Sequence, residues 1–360
     1  MKYKKILIEI HHGLGDVVQM IPLINNLRMN YEDAEIAVIV ASEMHASILG
    51  CTGLVDKYYF LNLRNMTLNE IINFIKDIRR EKFDIAFLSP ISNKRLGALL
   101  LFFLGCKYRA REVSENDRLF SKNDIVVIEE TKLHRVDRNL KLLESAGIKI
   151  YNRNPFIMVD DVKKVNAQKM LANIHGQEKK LIGICIGTNP VHRKKGFMRI
   201  PYEAKKWDLN NYINLIDKLN DKVNIILLGG KKEEEELKEV VDSVENSSVL
   251  LNLINKTTVI ESIALINECD LVVGGDTGML HVADALGKNT LTIFGPTNPK
   301  IVGPYSERSN NVTLNLDCQY CYGTETLFEC TDRKCLKKIS VEDIYGKILG
   351  ILKNMDEERE

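Results

Sequence analysis

Short isoleucine- and valine-rich runs recur along this chain, and each interval between them is long enough to hold one helix. "KILIEI" (5–10), "EIAVIVA" (35–41), "FDIAFLS" (83–89) and "DIVVIE" (124–129) read as strands. "DVVQMIPLINNLRMN", "TLNEIINFIKDIRREK" and "SNKRLGALLLFFLG" between them read as helices. Strand–helix alternation predicts parallel strands joined by helical crossovers. The runs lack polar alternation, as strands covered on both faces do. The pattern pauses at the polar stretch "KIYNRNPFIMVDD" (149–161) and resumes with "KLIGICIG" (180–187), "VNIILLGG" (223–230), "SVLLNL" (248–253), "CDLVVGG" (269–275) and "NTLTIFG" (289–295). The reading is an α/β chain of two doubly wound halves, residues 1–165 and 166–340. A final helix at 341–360 is expected to pack back on the first half. A length of 360 residues suits two cores better than one. Ligands of such sheets bind beyond the C-terminal ends of the strands, so the chemistry is expected just after strands, in a cleft between the halves.

Composition excludes some classes of function. Fifty lysines and arginines meet 49 acids, so no global field argues for nucleic acid. The longest apolar runs, such as "ALLLFFLG" (98–105), fall far below the roughly 20 residues a spanning helix needs. "MKYKKILIEI" begins like a signal peptide, but it is short, contains Glu9 and lacks a cleavage site, so it reads as the first strand. The expected location is cytoplasmic, with peripheral contact at an inner membrane as an option.

Four motifs carry chemistry. "HHGLGDVVQMIP" (11–22) follows the first strand. Gly13 and Gly15 permit a tight turn, but Val18 stands where a dinucleotide fingerprint needs its third glycine. Asp16 is either the helix N-cap, which the spacing favours, or a carboxylate presented as general base. "GGDTGMLH" (274–281) starts a helix at Asp276-Thr277-Gly278, whose amides suit a phosphate. Gly274, Gly275 and Gly278 would allow close approach of a ligand. Asp276 would repel phosphate, so it is read as a hydroxyl acceptor, and His281 as structural or as orienting the loop. Arg193 to Lys206 holds six basic residues against Glu203: a basic surface loop, or a phosphate-neutralising one. Trp207, the only tryptophan, is expected to anchor the following helix. Finally, Cys318, Cys321, Cys330 and Cys335 suit a structural zinc or iron site, with free thiols or a disulfide as alternatives. Cys51, Cys106, Cys185 and Cys269 sit in apolar contexts and read as buried thiols.

Taken together, "GLGDVVQMIPLINNLR", "AKKWDLNNYINLIDKL" and "GGDTGMLHVADALGKNTLTIFGPTNP" resemble the heptosyltransferases of glycosyltransferase family 9, which have the GT-B fold of two facing Rossmann-like domains. The resemblance covers most of the chain. It implies inverting transfer of a heptose from ADP-heptose to an acceptor hydroxyl, with no metal in the chemistry. It implies Asp16 as base, Lys205 on the donor diphosphate and Asp276 on donor sugar hydroxyls. Thr277 and Gly278 amides would cradle the diphosphate, with Gly15 and His281 in the binding loops and Glu234 (or Glu233) at the ribose. The chain departs from the pattern at Ile10, where the family has arginine, at Asp208, where it has proline, and at His11-His12. These departures lie toward the acceptor, and leave open a lipopolysaccharide core, another glycan or a protein. A sugar-nucleotide epimerase on the same fold and a non-catalytic ADP-sugar sensor are the competing readings.

Overall fold

The computed structural model describes residues 3–10, 13–63, 65–116, 122–172, 174, 178–187, 194–195, 198–199, 202–235, 237–238 and 250–357. The chain forms two compact units, Met1–Met158 and Val159–Glu360.

The first unit holds β1 (Lys5–Ile10), α1 (Leu14–Asn30), β2 (Glu35–Val40), α2 (Glu43–Gly50), β3 (Lys57–Phe60), α3 (Leu68–Glu81), β4 (Ile85–Leu88), α4 (Lys94–Phe103), β5 (Tyr108–Val113), β6 (Asp124–Ile128) and α5 (Arg135–Ser145). Its six strands lie in the order β3-β2-β1-β4-β5-β6, and all pairings are parallel. The central strands are apolar for the expected reason: Ile6, Leu7, Ile8, Ile36, Ala37 and Val38 are fully buried between two helical layers. α3 begins at a capping box in which Thr67 and Glu70 satisfy each other's backbone N–H.

Strand β5 escaped the sequence reading because "YRAREV" does not look like core. Its charges are buried as pairs. Arg109 donates to Asp124 at 2.6 Å, and Glu112 accepts from Arg138 of α5 at 2.5 and 3.0 Å. Burial opposes the charge on Arg138, and its bonds to Glu112 and Glu129 more than offset this, so its pKa is raised.

The second unit holds α6 (Asp161–Leu171), β7 (Leu181–Cys185), the ribbon β8 (Lys194–Lys195) and β9 (Met198–Arg199), α7 (Leu209–Leu219), β10 (Asn224–Leu228), α8 (Lys231–Glu234), β11 (Leu250–Asn252), α9 (Val259–Glu268), β12 (Leu271–Gly275), α10 (Gly278–Ala285), β13 (Asn289–Ile293), α11 (Pro299–Val302), β14 (Ser309–Val312), α12 (Glu325–Glu329), α13 (Lys334–Lys337) and α14 (Val341–Glu357). The large sheet runs β11-β10-β7-β12-β13-β14, again parallel. Each unit is thus a doubly wound parallel sheet in which the strand order reverses beside the first strand of the unit, β1 or β7. The edge strand β14, "SNNV", also went unread, since it carries one buried apolar residue.

The final helix packs within its own unit. α14 lies in the second unit, where Ile344, Ile348 and Leu352 join the core that also holds Leu215, Ile216 and Leu219 of α7. Their spacing makes one apolar stripe, which a neighbouring helix of the same unit covers. Lys218–Glu342 at 3.1 Å and Lys180–Asp356 at 2.7 Å flank it.

Candidate active site

The second unit gathers its site at the end of β12. Here the sheet runs directly into α10, and Thr277, the N-cap residue, makes no side-chain cap hydrogen bond. Capping chemistry in that first turn is therefore left to something other than Thr277. Asp276 precedes it. Its Oδ2 accepts from Lys205 Nζ at 2.6 Å and from Thr297 Oγ1 at 2.8 Å. The two charged side chains are 17% and 10% exposed, so the pair is held largely out of water. Burial alone would raise the Asp276 pKa. The Lys205 ammonium beside it, helped by His281 and the Thr297 hydroxyl, brings it below the ordinary aspartate value. Lys205 and Asp276 therefore do not stand as separate ligand-binding charges in this structure. The lysine neutralises the carboxylate, and so removes the repulsion that made Asp276 an awkward neighbour for a phosphate.

Two further residues complete this corner, and neither was singled out from sequence. Thr297 comes from "GPTNP", where the following Asn298 caps α11. Tyr322 places its ring 4.6 Å from Lys205 Nζ, on the side of the Cys318–Cys321 loop. That loop is tied to the same glycine–proline turn: Tyr322 N–H donates to the Pro296 carbonyl at 3.0 Å, and Gln319 donates to the Gly295 carbonyl. The only sequence signal for Tyr322 was its place beside the CxxC pair. Trp207 fixes the other end of the lysine segment. It is buried, bonds the Ile339 carbonyl at 3.0 Å and packs edge-on against Tyr212 of α7.

The glycines divide differently from expectation. A Cβ at Gly274 would lie 2.4 Å from the Cys185 carbonyl oxygen, so Gly274 serves the contact of β12 with β7 rather than a ligand. Gly13 has an extended backbone, φ −68°, that any residue adopts, and Gly15 lies in the first turn of α1.

In the first unit, Asp16 is not the N-cap that the spacing favours: Gly13 holds that position, and Asp16 sits in the first turn of α1, where it bonds back to Gly13 and pairs with an arginine. One carboxylate oxygen accepts from Gly13 N–H at 3.1 Å, and the other accepts from Arg135 at the start of α5. Arg135 lies 119 residues away in sequence, and nothing local announced it. Glu234 ends α8 just past β10, exposed, and accepts from Asn255 at 2.7 Å. His11, His12, Arg193 and the side chains of Lys194, Lys195, Arg199, Glu203 and Glu233 lie outside the described residues.

The four C-terminal cysteines share one neighbourhood. Burial, and then the charges of Cys321, Cys330 and Cys318, push the Cys335 thiol up to about 11. Among the described residues, however, no three His, Cys, Asp or Glu side chains are grouped so as to hold a metal ion. The spacing brings soft donors near one another without closing them on a common centre, and a zinc or iron ion would have to draw them together.

Residues 71–332 match the model of glycosyltransferase family 9 (heptosyltransferase). The chain belongs to this family. It is a glycosyltransferase, and its two parallel-sheet units are those of the GT-B fold. Lipooligosaccharide heptosyltransferase 2 of Campylobacter jejuni is 24% identical over 97% of this chain and 99% of its own length. Among solved structures, the ADP-heptose lps heptosyltransferase II of E. coli aligns with TM-score 0.76 at 20% identity, covering 98% of this chain and 99% of its own. A family 9 glycosyltransferase of Veillonella parvula aligns with TM-score 0.82 at 19% identity, covering 98% of each. The family match takes in the Lys205–Asp276 corner of this heptosyltransferase-family chain and begins after Asp16.

Proposed function

We propose that this chain transfers a heptose from ADP-heptose to a hydroxyl of a lipopolysaccharide-core or related glycan, with inversion at the anomeric carbon and no metal ion in the chemistry. Asp16 takes the proton of the acceptor hydroxyl. The freed oxygen forms a bond to the anomeric carbon while the bond from that carbon to the ADP phosphate oxygen breaks, and ADP leaves with the electron pair. Lys205 and the amides at Thr277 and Gly278 meet the charge that grows on the departing diphosphate. Asp276 orients Lys205 and, when the donor displaces part of that contact, offers its carboxylate to a sugar hydroxyl. His281 supports the loop, and Glu234 meets the ribose. Arg135 sets the orientation of the Asp16 carboxylate. The enzyme works in the cytoplasm, in peripheral contact with the inner membrane.

The observation that carries this reading is the largely buried Lys205–Asp276–Thr297 cluster beside the start of α10, where the Thr277 side chain makes no cap. The names of the relatives, lipooligosaccharide heptosyltransferase 2 and ADP-heptose lps heptosyltransferase II, support the donor and the acceptor class. The test is mass spectrometry after incubation with ADP-heptose and a truncated core acceptor. Free ADP with a heptosylated product is expected. An isomeric sugar nucleotide would show an epimerase instead, and binding without turnover would show a sensor.

A further inference from the structure

The longest apolar stretch singled out in the sequence is only half used by the core. On α4, Gly97 lies so close to β4 that a Cβ there would fall 2.6 Å from the Leu88 side chain, and Leu101 and Leu104 are buried beneath the helix. The other face carries Leu96, Leu99, Phe102 and Phe103, which are 66%, 53%, 59% and 51% exposed. At 100° per residue these four share one side of the helix. Large apolar side chains clustered this way on a soluble surface mark a contact site.

Charge indicates what the face contacts. From Ile85 to Arg111 the chain holds no aspartate or glutamate, while Lys94, Arg95, Lys107, Arg109 and Arg111 are all basic. Lys94 is paired with Glu129, and Arg109 and Arg111 with Asp124. Arg95 before the exposed apolar residues and Lys107 after them are exposed. Arg79 of α3 reaches the Phe103 carbonyl at 3.2 Å, adding a second cation at the Lys107 end.

We propose that this face of α4 docks on an anionic lipid bilayer, with Leu96, Leu99, Phe102 and Phe103 entering the headgroup–acyl boundary and Arg95, Lys107 and Arg79 meeting lipid phosphates. An apolar helix face rimmed by basic side chains is the arrangement that lies in a bilayer interface. A second copy of the chain would set the same basic rim against itself across a twofold, where like charges repel. No helix among the described residues is long and apolar enough to cross a membrane, so the contact is with the surface. The inference rests on the peripheral-membrane part of the proposed function and is independent of its donor and acceptor chemistry.

The test is co-sedimentation of the full chain with vesicles of equal parts phosphatidylglycerol and phosphatidylcholine, and with phosphatidylcholine alone. Binding to the anionic vesicles is expected, weakening with salt. The double variant Phe102→Ser/Phe103→Ser should lose roughly tenfold or more of that binding. A separate Leu96→Ser/Leu99→Ser variant should do the same, so that one poorly folding protein cannot decide the result. Arg95→Glu/Lys107→Glu should lose binding only to the anionic vesicles. All three should keep the wild-type melting temperature and turnover on a water-soluble acceptor, a readout that the failure of the catalytic reading would abolish in wild type as well. Wild-type protein that ignores the anionic vesicles, or serine variants that bind as wild type does, would overturn the proposal. A dimer in lipid-free solution that dissociates on the same serine substitutions would overturn it in favour of a second copy.

Discussion

Lys205 and Asp276 are 71 residues apart in the chain, yet the ammonium of one lies 2.6 Å from a carboxylate oxygen of the other. Removing one partner leaves the other charge largely buried and uncompensated. Lys205→Ala should therefore cost about 3 kcal/mol of stability as well as donor affinity. Lys205→Ala/Asp276→Ala should cost less than the sum of the single changes. Lys206→Ala, at a position just past the 3-10 turn that ends at Lys205, should weaken donor binding far less. Chemical denaturation and ADP titration of Lys205→Ala, Asp276→Ala, their double variant and Lys206→Ala check this, and equal effects of Lys205→Ala and Lys206→Ala would indicate a diffuse basic patch.

The same pair sets a pH dependence. The folded pKa of Asp276 is lowered, so its contribution is present above the unfolded value of about 3.9 and is lost as pH falls through the folded one. Glu81 behaves alike: its hydrogen bonds to Lys5 and then Lys57 hold it down to about 2. Stability should fall as pH drops below about 4, and Asp276→Asn should flatten part of that acid limb. Melting temperatures between neutral pH and pH 3 measure it; an unchanged acid limb in Asp276→Asn would place the titration elsewhere.

Asp16→Asn should keep the fold, because the amide oxygen can still accept from Gly13 N–H. Transfer should drop about 10²- to 10⁴-fold, as for loss of a general base. Arg135→Lys should retain more turnover than Arg135→Ala, since a cation can still orient the carboxylate. Full turnover in folded Asp16→Asn would leave that residue only its bond to Gly13 N–H in the first turn of α1.

Tyr322 touches Lys205 through the face of its ring, a contact worth about 1 kcal/mol at a partly buried site. Tyr322→Phe should keep donor KM near wild type, while Tyr322→Leu should raise it severalfold with a smaller change in kcat. Loss of kcat alone in Tyr322→Leu would assign the ring a different role.

Thiol reactivity follows burial. Burial pushes Cys106 and Cys185 up to about 12 and also raises Cys269, whereas Cys318 is exposed. Near pH 8 a small alkylating reagent should label Cys318 first and reach Cys106, Cys185 and Cys269 only on unfolding. Slow labelling of Cys318 that speeds up with a chelator would show that a metal does gather the four C-terminal thiols.

The repeating apolar runs by themselves determined two parallel α/β units, because a strand covered on both faces must be continuously apolar. They also placed Asp16, Asp276 and Thr277 at helix starts, since those positions follow strands directly. What pattern could not reach is whatever depends on two distant segments meeting. β5 is a core strand whose charges are tolerable only because Asp124 and Arg138 arrive to pair them. Arg135 reaches Asp16, and Tyr322 reaches Lys205, across loops whose closure leaves no local periodicity. Gly274 was read as making room for a ligand, but the space it leaves is taken by the Cys185 carbonyl of the neighbouring strand. The last helix carries an apolar stripe that any covered surface would satisfy. Only tertiary packing selected α7, because hydrophobic burial is non-directional and does not itself name a partner.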